Sequence, residues 1–154
     1  MQDAISSSRS LHRLIYSSRQ RLPASADVAA EVDAIVATSV FKNALVEVTG
    51  LLLAHEGWFV QVLEGPAQAV MTTYQRILND PRHSECRILS AGPVPQREFS
   101  DWDMCARQIG MADAAILRTL SQRQNFDPSA LPASAALRLL KTVAGIKQRT
   151  TPAA

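Results

Sequence analysis

The sequence predicts an α+β domain with a ferredoxin-like βαββαβ core, a fifth strand, two helices on one sheet face and C-terminal helices after the core. Three observations carry this prediction: a hairpin of two apolar runs at the centre, one amphipathic helical pattern on each side of it, and short strand patterns at both ends. With 154 residues, the chain is long enough for one domain with a sizeable core.

The hairpin consists of two apolar runs, residues 48–54 and 58–63, joined by the tripeptide His55, Glu56 and Gly57. Gly57 supplies the positive φ that such a turn requires. Both faces of the second run are largely apolar, so we expect the hairpin to lie centrally in the sheet.

Gln61 is the polar exception in the second run, where it shares one strand face with Phe59 and Leu63. Its carboxamide carries two N–H donors and an acceptor oxygen, and a buried polar group has to be paired. From this residue alone, the partner is either a neighbouring loop or a ligand.

The other core elements follow from periodicity. Ser25 or Asp27 caps a first helix whose apolar stripe ends near Asn43. Pro66 at the first helical position opens a second helix, which residues 80–81 (Asp-Pro) end. Strand patterns occupy residues 11–17, 87–90 and 99–109.

The C-terminal part changes to helical patterns at residues 112–120 and 134–147, with a turn-rich stretch between them. The last helix has a broad apolar face, which needs cover from the free face of the sheet or from a second subunit. We therefore divide the chain into a core domain at 11–110, a helical extension at 111–148, and flexible tails at 1–10 and 149–154.

Composition narrows the functional classes. Hydrophobic residues make up 47% and charged residues 19%, which is typical of a globular protein. The 16 basic residues are interspersed with 14 acidic ones, so we expect no nucleic-acid partner. No apolar run approaches the about 18 residues of a membrane span, and we see no secretory signal. Cys86 and Cys105 lack metal or redox spacing, which favours a cytoplasmic chain without a metal site.

Several pieces in order resemble one family. Tyr16, Ser39 and Asn43, followed by VTGLLL, FVQVLEG, DPRH and FSDWDM, resemble the BLUF family, the blue-light sensors that use flavin adenine dinucleotide. The resemblance runs from about residue 11 to residue 109, and its specificity lies in the order of the pieces. It implies FAD, with FMN as an alternative, held between the two helices with its ring edge facing the sheet.

The resemblance also implies flavin contacts. A flavin ring is a flat apolar slab with a polar rim, so it needs aliphatic walls and a few amides. From the residues alone, the aliphatic side chains are equally ordinary core residues, Asn43 is a helix C-terminal asparagine, and Arg82 is a solvated charge. The flavin contacts implied by the resemblance are Ile35, Ser39, Asn43, Leu52, Ile77, Arg82 and His83.

Tyr16 and Gln61 form the light switch that the resemblance implies. Tyr16 gives an electron and then a proton to the excited flavin, and Gln61 returns to a different hydrogen-bonded state by rotation or tautomerisation. Trp102 and Met104, two apart on the last strand, share one strand face and report the change. Which of the two faces the flavin stays open, and both are also compatible with core packing.

We therefore expect a photosensory protein and no enzyme, because the chain offers no nucleophile–base pair, phosphate loop or metal ligands. Its signal would leave through the C-terminal helices to a partner protein, in a dimer or higher oligomer. Alternatives are a flavoenzyme, a non-photoactive flavin-binding module, and a ferredoxin-like module that binds a small ligand, a protein or RNA. An acylphosphatase-like anion loop at residues 19–21 is a weaker alternative.

Overall fold

The computed structural model describes residues 10–21, 30, 34, 47–55, 57–99, 103–108 and 127–150, with backbone alone for 103–108 and 143–150. Ala30 and Ala34 have helical backbone, within the segment where the sequence predicts the first helix. The predicted helix at 112–120 lies outside the described residues.

A five-stranded sheet forms the centre of the fold. Its spatial order is β4-β1-β3-β2-β5, in which β1 pairs antiparallel with β3 and β4, β2 pairs antiparallel with β3, and β2 pairs parallel with β5. The strands are β1 (Leu11–Gln20), β2 (Thr49–His55), β3 (Trp58–Pro66), β4 (His83–Pro93) and β5 (Asp103–Gln108).

Two α-helices and a short 3₁₀ turn complete the described part of the fold. Helix α1 (Ala67–Leu78) connects β3 to β4, and helix α2 (Ala133–Thr150) follows the 3₁₀ turn Pro128–Ala130. The order of the first four strands is the ferredoxin-like arrangement, and β5 adds a parallel strand beside β2. The predicted fold class and the central position of the hairpin are confirmed.

Strand alternation gives the sheet two different apolar faces. On the α1 face, Leu14, Tyr16 and Leu63 pack with Val70 and Tyr74 of the helix.

The opposite face is covered by the C-terminal helix. Ile15, Val60 and Val62 of the sheet pack there with Leu139 and Leu140 of α2. The sequence left two partners open for the apolar face of the last helix, the free face of the sheet or a second subunit. In the structure, the helix packs on the free face of the sheet.

Element boundaries differ from the sequence-based expectation in four elements: β1, β4, α1 and β5. Strands β1 and β4 are longer than predicted because their polar ends still pair, as in the pairs Arg19 with Ser84 and Gln20 with His83. Pro66 is the N-cap of α1, with extended backbone, and not its first helical residue. Strand β5 begins at Asp103, and Phe99, which the sequence pattern included in this strand, instead packs in the core cluster on the α2 side.

Two negative findings concern the described residues only. There, no three His, Cys, Asp or Glu side chains gather in a group that could hold a metal ion. The helices described are also too short or too polar to cross a bilayer.

Candidate functional site

Tyr16 and Gln61 lie directly opposite each other on the neighbouring strands β1 and β3. Both side chains are buried, with 0% and 3% exposure. The Tyr16 hydroxyl donates a hydrogen bond to Gln61 Oε1. The structure thus confirms that the two strands are neighbours and brings the predicted phenol and carboxamide into contact.

Apolar side chains surround this pair on the α1 face. Leu52 is the partner of Gln61 on the other side, in β2, and is buried. Ile77 of α1 packs against the same cluster as Tyr16. The ring of Tyr74 lies 5.3 Å from the Tyr16 ring, centroid to centroid, at an interplanar angle of 55°. The phenol and the amide are therefore polar groups in an apolar wall.

Burial controls the protonation of Tyr16. Desolvation raises the pKa of its phenol well above the ordinary value of 10.0, and the negative charge that Cys86, Tyr74 and Asp80 can carry raises it further. The hydroxyl is consequently protonated at neutral pH and remains a donor to Gln61 Oε1.

His83 occupies an interior position beside the pair. Its Nδ1 shares a hydrogen bond of 2.8 Å with Ser18 Oγ, and its ring lies 4.7 Å from Phe59 and 6.2 Å from Tyr16 between centroids. Burial lowers the pKa of the imidazole to about 4, and Arg82 adds to that lowering while the Asp80 carboxylate opposes it. A neutral His83 therefore lies next to Tyr16 at neutral pH, and a contact with the flavin phosphates stays a prediction.

Arg82 lies just after α1, where its guanidinium binds Asp80. The Nη2–Oδ2 distance is 2.7 Å and the Nε–Oδ1 distance is 3.0 Å. These hydrogen bonds lower the pKa of Asp80 below its ordinary value, against the opposing effect of burial. The role of Arg82 at a diphosphate stays a prediction, and it requires the guanidinium to share its donors with Asp80.

The structure describes no side chain for the remaining predicted site residues. Ile35, Ser39, Asn43 and Trp102 lie outside the described residues, and Met104 is described by its backbone in β5 alone. Their roles stay predictions.

The described wall of the site fits a flavin ring. A flavin needs a flat apolar surface with a small number of fixed polar groups. Leu52 lies opposite the buried Gln61 amide, whose oxygen accepts from Tyr16, and Ile77 packs against the cluster that contains Tyr16. Gln61, with a donor and an acceptor end, suits the rim of such a ring.

Sequence reasoning missed one buried group close to this site, the carboxylate of Glu64. It is fully buried and accepts hydrogen bonds from Arg13 and from the backbone of Glu98 and Phe99. The available signal was a carboxylate between Leu63 and Gly65 at the end of an apolar strand, a position where a charge requires partners.

Comparison with known families gives an independent result. The family model described as BLUF, sensors of blue-light using FAD, matches residues 11–105. The chain is 40% identical over 75 residues to photoactivated adenylate cyclase subunit beta of Euglena gracilis, which covers 48% of this chain and 9% of that protein. The chain thus spans about a tenth of the length of the curated relative.

Solved structures agree with this match. The dark-state structure of BlrB, a BLUF protein, superposes with a TM-score of 0.71 at 30% identity and covers 91% of this chain and 98% of that one. Klebsiella pneumoniae BlrP1 with FMN and cyclic diGMP superposes with a TM-score of 0.60 at 30% identity, over 75% of this chain and 31% of that one.

Proposed function

Because the chain belongs to the BLUF family, the blue-light sensors that use FAD, we propose that its buried Tyr16–Gln61 pair is the light switch. The observation that carries this proposal is the hydrogen bond from the Tyr16 hydroxyl to Gln61 Oε1 inside an apolar wall. When bound, the flavin supplies blue-light absorption and an electron acceptor. FAD is the flavin we propose, and FMN is the alternative.

The chemistry of a carboxamide explains why Gln61 suits a switch. In the structure, its Oε1 accepts from Tyr16. If the two ends of the amide exchange, an N–H donor faces the Tyr16 hydroxyl, which then has to act as acceptor. A mismatch of one buried polar group costs about 1–3 kcal/mol, and 1.4 kcal/mol already changes a two-state population about tenfold. A single amide reversal is therefore large enough to alter the surrounding strands.

Tyr16 is suited to be the residue that gives up and recovers an electron and its hydroxyl proton. Its raised pKa keeps it neutral, and its hydroxyl proton is directed at Gln61 Oε1. The flavin contacts proposed for the remaining residues are those of the aliphatic walls (Ile35, Leu52, Ile77), the ring amide region (Ser39, Asn43) and the phosphate side (Arg82, His83).

We further propose that this chain is a sensor without substrate turnover. Its signal would pass through Trp102 and Met104 of the last strand to the C-terminal helices and then to a partner protein, in a cytoplasmic oligomer. The relative named photoactivated adenylate cyclase contains a region similar to this chain in a far longer protein, which supports a sensor that acts on an effector.

A spectrum before and after illumination tests the proposal. The purified protein should bind FAD, shift its blue absorption band to the red on illumination, and revert in darkness. Gln61→Leu should keep the flavin and lose the shift, while Leu78→Ala on the exposed side of α1 (49% exposed) should keep both. A protein that binds FAD without any shift supports the alternative, a non-photoactive flavin-binding module.

A further inference from the structure

We propose that Glu64 is a positioning residue that couples the Gln61 strand to helix α2 through residues 96–99, here named the connector. This inference rests on the proposed photoswitch and goes beyond it, because it assigns a route for the signal to a residue outside the flavin wall. The route runs from β3, through the Glu64 carboxylate, to the connector and then to α2.

The first step is the attachment of the connector to Glu64. The Glu64 side chain is 0% exposed. Its Oε1 accepts from the backbone N–H of Phe99 at 2.7 Å and of Glu98 at 3.0 Å, and its Oε2 accepts from Arg13 Nε at 2.8 Å. A buried carboxylate held by a guanidinium and two backbone N–H groups fixes the connector relative to β3, since each bond is charge-assisted.

A second attachment comes from the connector itself. Arg97 Nη1 donates to Thr49 Oγ1 at 2.7 Å and to the Glu64 carbonyl oxygen at 2.9 Å, and Arg97 Nη2 donates to the Glu47 carbonyl oxygen at 2.7 Å. Arg97 therefore joins the connector to the first residues of β2 and to β3 at the same time. The connector has little freedom to move unless β2 or β3 moves.

The last step leads from the connector to α2. Phe99 is 1% exposed and belongs to the core cluster that contains Leu139 and Leu140 of α2. Beside it, Glu98 forms an ion pair of 3.3 Å with Lys141 of α2, at a partly exposed position where such a pair adds little stability. Phe99 is thus the main contact through which the connector positions α2.

The position of Glu64 makes it responsive to the switch. It lies three residues after Gln61 in β3, and strand alternation directs it to the α2 side while Gln61 faces α1. A change in the backbone around Gln61 displaces Glu64, and the short, buried bonds of Glu64 transfer that displacement to the backbone of Glu98 and Phe99. Packed elements with two discrete arrangements carry coupling in this way.

Glu64→Gln tests the route with little change of shape. A carboxamide has one acceptor oxygen, so its NH₂ group has to face either Arg13 Nε–H or the two connector N–H groups. Glu85→Gln is the matched control, because Glu85 is an exposed carboxylate that forms a 3.4 Å pair with Arg19. Two readouts are measured on flavin-loaded protein in the dark and under blue light: the red shift of the flavin band, and amide hydrogen exchange in α2.

We expect wild type and Glu85→Gln to show the red shift together with a light-dependent change in α2 exchange. Glu64→Gln should keep the red shift, while the light-minus-dark change in α2 decreases by at least about twofold. A merely structural role of Glu64 would alter dark exchange or flavin binding without this selective loss.

The outcomes separate the two proposals. A wild type without a red shift overturns the photoswitch and this inference with it. If wild type shows the red shift and Glu64→Gln retains the full α2 response, the inference alone is overturned. The same follows if wild type shows the red shift but no α2 response. Loss of the red shift in flavin-loaded Glu64→Gln also overturns it, since Glu64 would then belong to the switch. If Glu64→Gln does not fold, Glu64→Asp, which keeps the carboxylate charge opposite Arg13 but shortens the side chain that reaches the connector, decides by the same criteria.

Discussion

Acidification should destabilise this protein through the buried imidazole of His83. Its imidazole is buried between Phe59 and Tyr16 and bonded to Ser18. Burial lowers the folded-state pKa to about 4 from the ordinary 6.5. The unfolded chain therefore binds a proton at a higher pH than the folded chain does, so the free energy of unfolding is highest above pH 6.5 and decreases as the pH falls toward 4.

The magnitude follows from this difference in pKa. A lowering of about 2.5 units corresponds to about 3.4 kcal/mol once both states are protonated, at about 1.36 kcal/mol per unit. At about pH 5, the integrated loss relative to about pH 7.5 is about 2 kcal/mol. The pKa of Asp80 is lowered from 3.8, so the stability that this carboxylate contributes is lost mainly at lower pH than that of His83.

Urea unfolding followed by circular dichroism measures the effect, at about pH 7.5, 6 and 5 and at constant FAD concentration. Wild type should lose about 2 kcal/mol across this range, whereas His83→Asn, which keeps a polar atom for Ser18, should lose less than about 0.5 kcal/mol. His12→Asn is the matched control for removal of a half-buried imidazole elsewhere in the same sheet. Equal slopes in wild type and His83→Asn would refute the reasoning.

Three further substitutions have expected outcomes. Tyr16→Phe should bind flavin but lose the light-induced red shift, and a normal photocycle would contradict the role of Tyr16. The substitution should also lower the free energy of unfolding by about 1–3 kcal/mol, because the buried Gln61 oxygen loses the Tyr16 donor. Gly65→Ala should lower the free energy of unfolding by about 1–3 kcal/mol, since the new Cβ lies 2.9 Å from a carbonyl oxygen just before β2. Gly92→Ala is the control, because its Cβ meets nothing within 4 Å. Equal denaturation midpoints for the two variants would exclude the clash. Leu139→Ala removes a core side chain and should lower the free energy of unfolding by about 2–5 kcal/mol. Leu78 is 49% exposed, so Leu78→Ala should lower it clearly less. Similar losses in the two variants would mean that α2 does not cover the sheet.

The hairpin could be predicted because local signals specify it, and the Tyr16–Gln61 pair followed from the family resemblance together with the predicted strand order. Gly57 has a φ of 83°, as the turn predicted, and period-2 alternation places Gln61 on the α1 face. Once the strand order is ferredoxin-like, β1 has to neighbour β3, and the register that places Tyr16 opposite Gln61 is seen in the structure.

Long-range partners could not be predicted in the same way. Glu64 is bonded to residues 34 and 35 positions later in the chain, and no local pattern encodes such a partner. His83 follows the second helix in the sequence, and an early start of β4 places it in the sheet beside Ser18. In edge strands such as β4, apolar and polar residues also alternate only weakly, so the sequence pattern predicts a strand without its polar ends.

Infrared difference spectroscopy on protein with isotopically labelled glutamine is the most direct test of the central claim. The side-chain carbonyl band of Gln61 should shift between dark and light, because its acceptor oxygen changes partner, and the shift should be absent in Gln61→Leu. A light-minus-dark spectrum in which the flavin bands change but no labelled glutamine band moves would contradict the account.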